Sequence, residues 1–138
     1  MKRPYVICHI LSSLDGKING PFMGTGSAAG LAGTYASLRS GMNADAWLYG
    51  TATTKEFTDH VRPVLEDGSS VPDGDFVADD QAELYYVSVD TEGEIGWESG
   101  TFANRGRTPA HVIEVLTDST SSQPMGSWMG TGLHFRRS

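Results

Sequence analysis

The feature that most constrains this chain is a set of four short apolar runs, Tyr5–Leu11, Ala44–Tyr49, Leu84–Val89 and His111–Leu116, separated by polar, turn-rich stretches. β-branched and aromatic residues dominate them, as strands require. Tyr5–Leu11 is apolar almost without break, the pattern of a strand covered on both faces of a parallel sheet. It is expected to be the first, central strand. Parallel strands need crossover connections, and right-handed crossovers through helices give an α/β fold.

The intervening stretches fit that scheme. Residues 12–27 carry Asp15-Gly16, Asn19-Gly20-Pro21, Gly24 and Gly26, turn signals that predict a long loop. Long loops inside compact domains often carry function. Between Ala28 and Met42, Leu31, Tyr35 and Leu38 recur at helical spacing, with Arg39 near the end and Gly41 as a cap. A second helix is expected from Lys55-Glu56-Phe57, with a threonine of the preceding turn as its N-cap. Residues 60–81 are rich in Asp, Glu, Gly, Ser and Pro and read as a surface excursion, pinned at Val71 or Phe76. Asp90–Trp97 is expected to turn into a short edge segment. Beyond Leu116 neither strand alternation nor helical period is visible. The organisation expected is one domain over residues 1–119 and an irregular tail over 120–138 that adds little to the core.

Composition narrows the function. The chain of 138 residues is long enough for one domain with a real core, and its 17 glycines suit tight turns and close backbone approach to a ligand. A net charge of −7 and the lack of a basic stripe speak against nucleic acid as a partner. Cys8, the single cysteine, sits in an apolar run and reads as a small buried hydrophobe, which fits a reducing, cytoplasmic setting. The run after Lys2 and Arg3 is too short and too polar at its end for a signal peptide, and no stretch is long enough to span a bilayer. His9, His60, His111 and His134 have no metal-ligand spacing. Dinucleotide Gly-x-Gly-x-x-Gly, phosphate-loop and nucleophile-elbow motifs are all missing.

Ligands of open α/β sheets settle beyond the carboxyl ends of strands. Two segments belong there, Leu11–Gly20 and Gly50–Thr54. The turn Gly50-Thr51-Ala52-Thr53-Thr54 offers a flexible glycine and three hydroxyls to a nucleotide phosphate; its plain alternative is a helix cap. Ser12-Ser13-Leu14-Asp15-Gly16 offers two hydroxyls and a carboxylate, or is simply an Asp-Gly turn. Arg39 can grip a substrate phosphate with its forked donors, or serve the helix dipole from solvent.

The string Arg3 to Ile18, with Ser-Leu-Asp-Gly-Lys-Ile (residues 13–18) at its heart, resembles the opening of the riboflavin-pathway pyrimidine reductase family, which contains the reductase domain of the bifunctional deaminase-reductase. Ala44–Thr54 is similar to that family's second strand and threonine-bearing turn, in the right order. The resemblance implies a dihydrofolate-reductase-like three-layer α/β sandwich with a mostly parallel sheet. It also implies NADPH as cofactor, held near Leu11 and at Gly50, Thr51 and Thr53. The implied reaction is hydride transfer to the ribosyl carbon of a phosphorylated ribosylaminopyrimidine, a small-molecule substrate. Asp15 is the candidate catalytic group, for orienting substrate or relaying a proton, and Ser13 and Arg39 are candidate substrate-binding residues. Two departures stand against it. Lys55-Glu56-Phe57-Thr58-Asp59 replaces the family's Asp-Asp-Pro-like run and arginine, and the resemblance stops near Ser119, before the family's glycine-rich cofactor loop. On that reading the sheet is incomplete, residues 120–138 are out-of-frame or unrelated sequence, and the chain is an exposed-edged fragment prone to self-association as a homo-oligomer. Competing expectations are a truncated, non-catalytic nucleotide-binding module and a dihydrofolate reductase, since a shared fold does not choose a substrate.

Overall fold

The computed structural model describes residues 3–65, 74–78, 81–103, 107–120 and 123–137. They form two compact units, Met1–Ala44 and Asp45–Ser138, where the sequence led us to expect one domain. In the first unit a 3-10 turn, Pro21–Gly24, leads into α1, Gly26–Gly41. Thr25 caps α1, its hydroxyl accepting from the Ala28 amide at 3.3 Å. Residues 5–11, expected to be the central strand, form no strand ladder, and Tyr5, Val6 and Ile10 are exposed. Cys8, expected to be buried, is exposed with them. A Val/Ile-rich run has the propensity for a strand, but a strand exists only where a neighbour satisfies its backbone groups.

The second unit holds the sheet: β1 Ala46–Gly50, β2 Tyr85–Val89, β3 Thr101–Phe102, β4 Ala110–Leu116 and β5 His134–Arg137, with α2 Thr51–Phe57 and α3 Gln123–Gly130. β1, β2, β4 and β5 run parallel, and only β3 is antiparallel. β1 pairs with β2, and β2 with β4. On the far side of β4, β3 occupies the start of the strand and β5 the end. The expected α/β class with a mostly parallel sheet flanked by helices is what the structure has, and it is compatible with a three-layer sandwich.

Register and the two-residue alternation of strands decide which side chains share a face. Trp47 lies beside Tyr86, Tyr86 beside Val112, Ser88 beside Glu114, and Glu114 beside Phe135. These residues face one core with Ile95, Trp97, Met125, Trp128 and Leu133. The opposite face carries Leu48, Val87, Ile113 and Val115, of which Leu48 is exposed and the others half-buried.

The largest correction concerns residues 120–138. In place of an irregular tail they supply α3 and β5, and Met125, Trp128, Leu133 and Phe135 are each wholly buried. Gly126 and Gly130 depress helix propensity, but burying a large apolar side chain is worth roughly 1.5–3 kcal/mol, more than the roughly 1 kcal/mol that a helical glycine costs. Trp128 packs over the turn at Gly93 (φ +69), where a Cβ would lie 2.8 Å from Thr120 and 3.6 Å from the indole. Phe76 is pinned as expected: it exchanges both backbone hydrogen bonds with Phe135, and their rings stack. Val71 lies outside the described residues.

Candidate functional site

The Gly50–Thr54 segment lies where the sequence placed it, at the carboxyl end of a parallel strand and beside the end of β2, but Thr51–Thr54 are the first turn of α2 and not a turn ahead of a helix at Lys55. Its hydroxyls are not equivalent. α2 begins without a side-chain cap, Gly50 being the N-cap residue, so the expected threonine cap is not formed. Thr51 Oγ1 instead donates across the sheet to the Val89 carbonyl at 3.0 Å and lies 3.3 Å from Asp90 Oδ1. Thr54 is wholly buried and shares a 3.1 Å hydrogen bond with the Tyr86 hydroxyl. Thr53 is half-buried, and among the described residues its hydroxyl makes no hydrogen bond. The space where a Gly50 side chain would stand is open.

Behind this turn lies a buried polar group that sequence reasoning missed. Asp90, just past β2, is wholly buried and accepts from the amides of Glu94 at 2.6 Å and Ile95 at 2.9 Å, which locks the turn that follows. Glu114, on β4, is wholly buried; its Oε2 accepts from the Trp97 indole at 3.1 Å, while Oε1 has no partner among the described residues. Burial and then the nearby Asp90 charge hold the Glu114 carboxyl well above the usual carboxylate range. The neutral acid is therefore favoured, as a buried group without a counter-ion requires. Burial pushes the Tyr86 hydroxyl up to about 12, against the pull of its bond with Thr54. A lone Glu inside His-Val-Ile-Glu-Val-Leu, on the parity of Val112 and Leu116, was the available signal for Glu114.

Leu11, Ser13, Asp15 and Arg39 belong to the first unit, whereas Gly50, Thr51 and Thr53 belong to the second. In the first unit, Ser13 and Asp15 are brought together. Ser13 Oγ donates to Asp15, the Lys17 amide donates to Ser13 Oγ at 3.1 Å, and Lys17 Nζ lies 2.8 Å from Asp15 Oδ2. The Lys17 ammonium and then the Ser13 hydroxyl lower the Asp15 carboxyl below its ordinary range, so Asp15 is suited to accepting hydrogen bonds rather than to giving up a proton at neutral pH. Leu11 is half-buried outside any strand, and Arg39 is half-buried in the last turn of α1. His9, expected in the core of a strand, is half-buried and stacks on Tyr35 at 4.1 Å, with its carbonyl accepting from the Tyr35 hydroxyl at 3.0 Å.

Compared with protein-family models, curated proteins and solved structures, the chain matches none. Among the described residues no helix is long and apolar enough to cross a membrane.

Proposed function

We propose that the chain is an NADPH-dependent reductase of the riboflavin-pathway pyrimidine type. The observation that supports this reading best is the Gly50–Thr54 segment, which leads from a parallel strand into α2 at the sheet's carboxyl edge and, among the described residues, leaves the Thr53 hydroxyl without a hydrogen bond while the space at Gly50 is open. Such an edge is where nucleotides bind in open α/β sheets. The turn fits an anionic nucleotide group at Thr53 and the backbone of Gly50. Thr51 positions the turn, since its hydroxyl is already committed to Val89 and Asp90.

When bound, NADPH supplies the hydride that reduces the ribosyl carbon of a phosphorylated ribosylaminopyrimidine, and the protein aligns donor and acceptor. Asp15, held as a carboxylate by Lys17 and Ser13, orients a substrate hydroxyl. Ser13 and Arg39 stay substrate-binding candidates, and Leu11 a cofactor-binding candidate, on the resemblance alone.

The test is thermal unfolding with and without NADPH. A ligand of the folded state present at about 100 times its Kd adds roughly 2.7 kcal/mol. An upward shift with NADPH that is smaller with NADH and reduced in Thr53→Ala supports the reading; no shift with NADPH sinks it. A binding module without turnover is the second reading, favoured by the finding that Leu11 does not end a strand. Single-turnover oxidation of NADPH by the ribosylaminopyrimidine separates the two, and dihydrofolate in the same assay tests the third reading, a dihydrofolate reductase.

A further inference from the structure

The second unit has a cavity away from the threonine turn. Its volume is about 240 Å³, and Phe57, Trp97 and Phe102 line it together with two exposed acidic residues, Asp59 and Glu98. No Lys, Arg or His lines it among the described residues. Aromatic faces carry negative electrostatic potential, so this composition favours a cation twice over, through the rings and through the carboxylates.

The walls are held by the cap of α2 and by a close backbone contact at Gly96. Asp59 and His60 both adopt left-handed backbone, with φ of 52 and 57, in the positions that follow the C-cap Thr58. The His60 amide bonds the Lys55 carbonyl at 2.8 Å, which turns the chain off the end of α2 and sets Asp59 on the cavity wall. Opposite, the Gly96 amide donates to the Val61 carbonyl at 2.9 Å, and a Cβ on Gly96 would lie 2.3 Å from the Arg62 carbonyl oxygen. Only glycine permits that approach. Trp97 is fixed by its bond to Glu114, and Phe102 meets it edge-on at 5.9 Å and 86°. The aromatic cluster already accepts one cation: the Arg107 guanidinium sits 4.1 Å from the Phe57 ring centroid and donates to the Tyr49 hydroxyl at 3.3 Å.

We propose that this cavity binds a small organic cation, a quaternary or alkylated ammonium group, between the rings of Phe57, Trp97 and Phe102 with Asp59 and Glu98 as its counter-charges. The volume lies below the roughly 300–1,000 Å³ of pockets for drug-sized ligands, so it suits a headgroup rather than a large molecule.

The experiment is a titration of the full chain, without NADPH, by choline and by its neutral carbon isostere 3,3-dimethyl-1-butanol, following the indole N–H resonances of the three tryptophans. Choline is expected to give a saturable shift at Trp97, with those of Trp47 and Trp128 much smaller. The neutral isostere should bind about tenfold more weakly, the effect of a desolvated cation on aromatic faces. The double variant Asp59→Asn, Glu98→Gln should weaken choline about two- to fivefold, as exposed charges do. Asn at position 59 tolerates the left-handed backbone, so this variant tests charge even if Phe102→Leu, the matching ring variant, fails to fold. Equal binding of choline and its isostere, or a Trp97 resonance unmoved by choline, would overturn the proposal. Because the cofactor is absent throughout, that result would leave the reductase reading standing, and a missing NADPH shift would leave this one standing.

Discussion

The two units differ in what their apolar residues accomplish. In Asp45–Ser138 a contiguous core joins every parallel strand to both helices, with Tyr86, Val112, Trp128 and Phe135 all wholly buried. In Met1–Ala44, Ala28 is the one buried hydrophobic residue among those described, while Tyr5, Val6, Ile10, Leu14, Leu31 and Leu38 are exposed. Yet the first unit carries the more strand-like run of the two. Hydrophobic character therefore marks a segment's capacity for a core, and the presence of complementary surfaces decides whether a core forms.

The comparison breaks most easily at Trp128. Trp128→Ala is expected to cost about 3–5 kcal/mol in urea unfolding of the second unit. A loss under about 1 kcal/mol, well below that range, would mean that residues 120–138 are not core. Gly96→Ala comes next, at about 1–3 kcal/mol, because the new methyl meets carbonyl backbone rather than a side chain that can move aside. Its melting temperature measures this. Glu114 supplies a pH test of burial. Its folded-state carboxyl titrates above the ordinary value of 4.5. Its contribution is thus fully present below that value and is lost as pH rises through the raised folded value. Stability curves of wild type and Glu114→Gln between about pH 5 and pH 8 should therefore converge or cross, with the wild type losing more on the alkaline side. Parallel curves would show that Glu114 ionises normally. The smallest effect is expected in the first unit, where Val6→Ser should stay within about 0.5 kcal/mol. A loss of 2 kcal/mol or so, the size of a core deletion, would restore Tyr5–Leu11 to a buried strand and erase the contrast between the units.

Much of the second unit was legible in the sequence. The runs at 44–49, 84–89 and 111–116 become β1, β2 and β4 with boundaries shifted by a residue or two, and in the first unit Leu31, Tyr35 and Leu38 announced α1. Each of these signals is local. What escaped was settled by tertiary contact. Residues 123–137 have weak propensity, two helical glycines and no period, and are ordered by what Trp128 and Phe135 touch. Residues 5–11 have strong propensity and no ladder. At the candidate site the segment Gly50–Thr54 was placed correctly at the end of β1, but it opens α2 instead of preceding it, and sequence could not say which hydroxyls were already engaged. Asp90, just past β2, read as part of a polar turn, and Glu114 read as an exposed strand position although it shares the parity of the buried Val112 and Leu116.

The exchange of backbone hydrogen bonds between Phe76 and Phe135 bears on how this sheet behaves in a crowded solution. On that flank the donors and acceptors at the middle of β5 are already taken, which blunts it as a template for another chain. β1, at the opposite flank, consists of Ala46-Trp47-Leu48-Tyr49-Gly50 without a charge or a proline, and no described strand lies beyond it. Such an edge lacks the gatekeepers that discourage fibril growth. Assembly of misfolded copies would then be directional, extending from the β1 flank, and a lysine at Leu48 would be the economical way to raise the solubility of the chain.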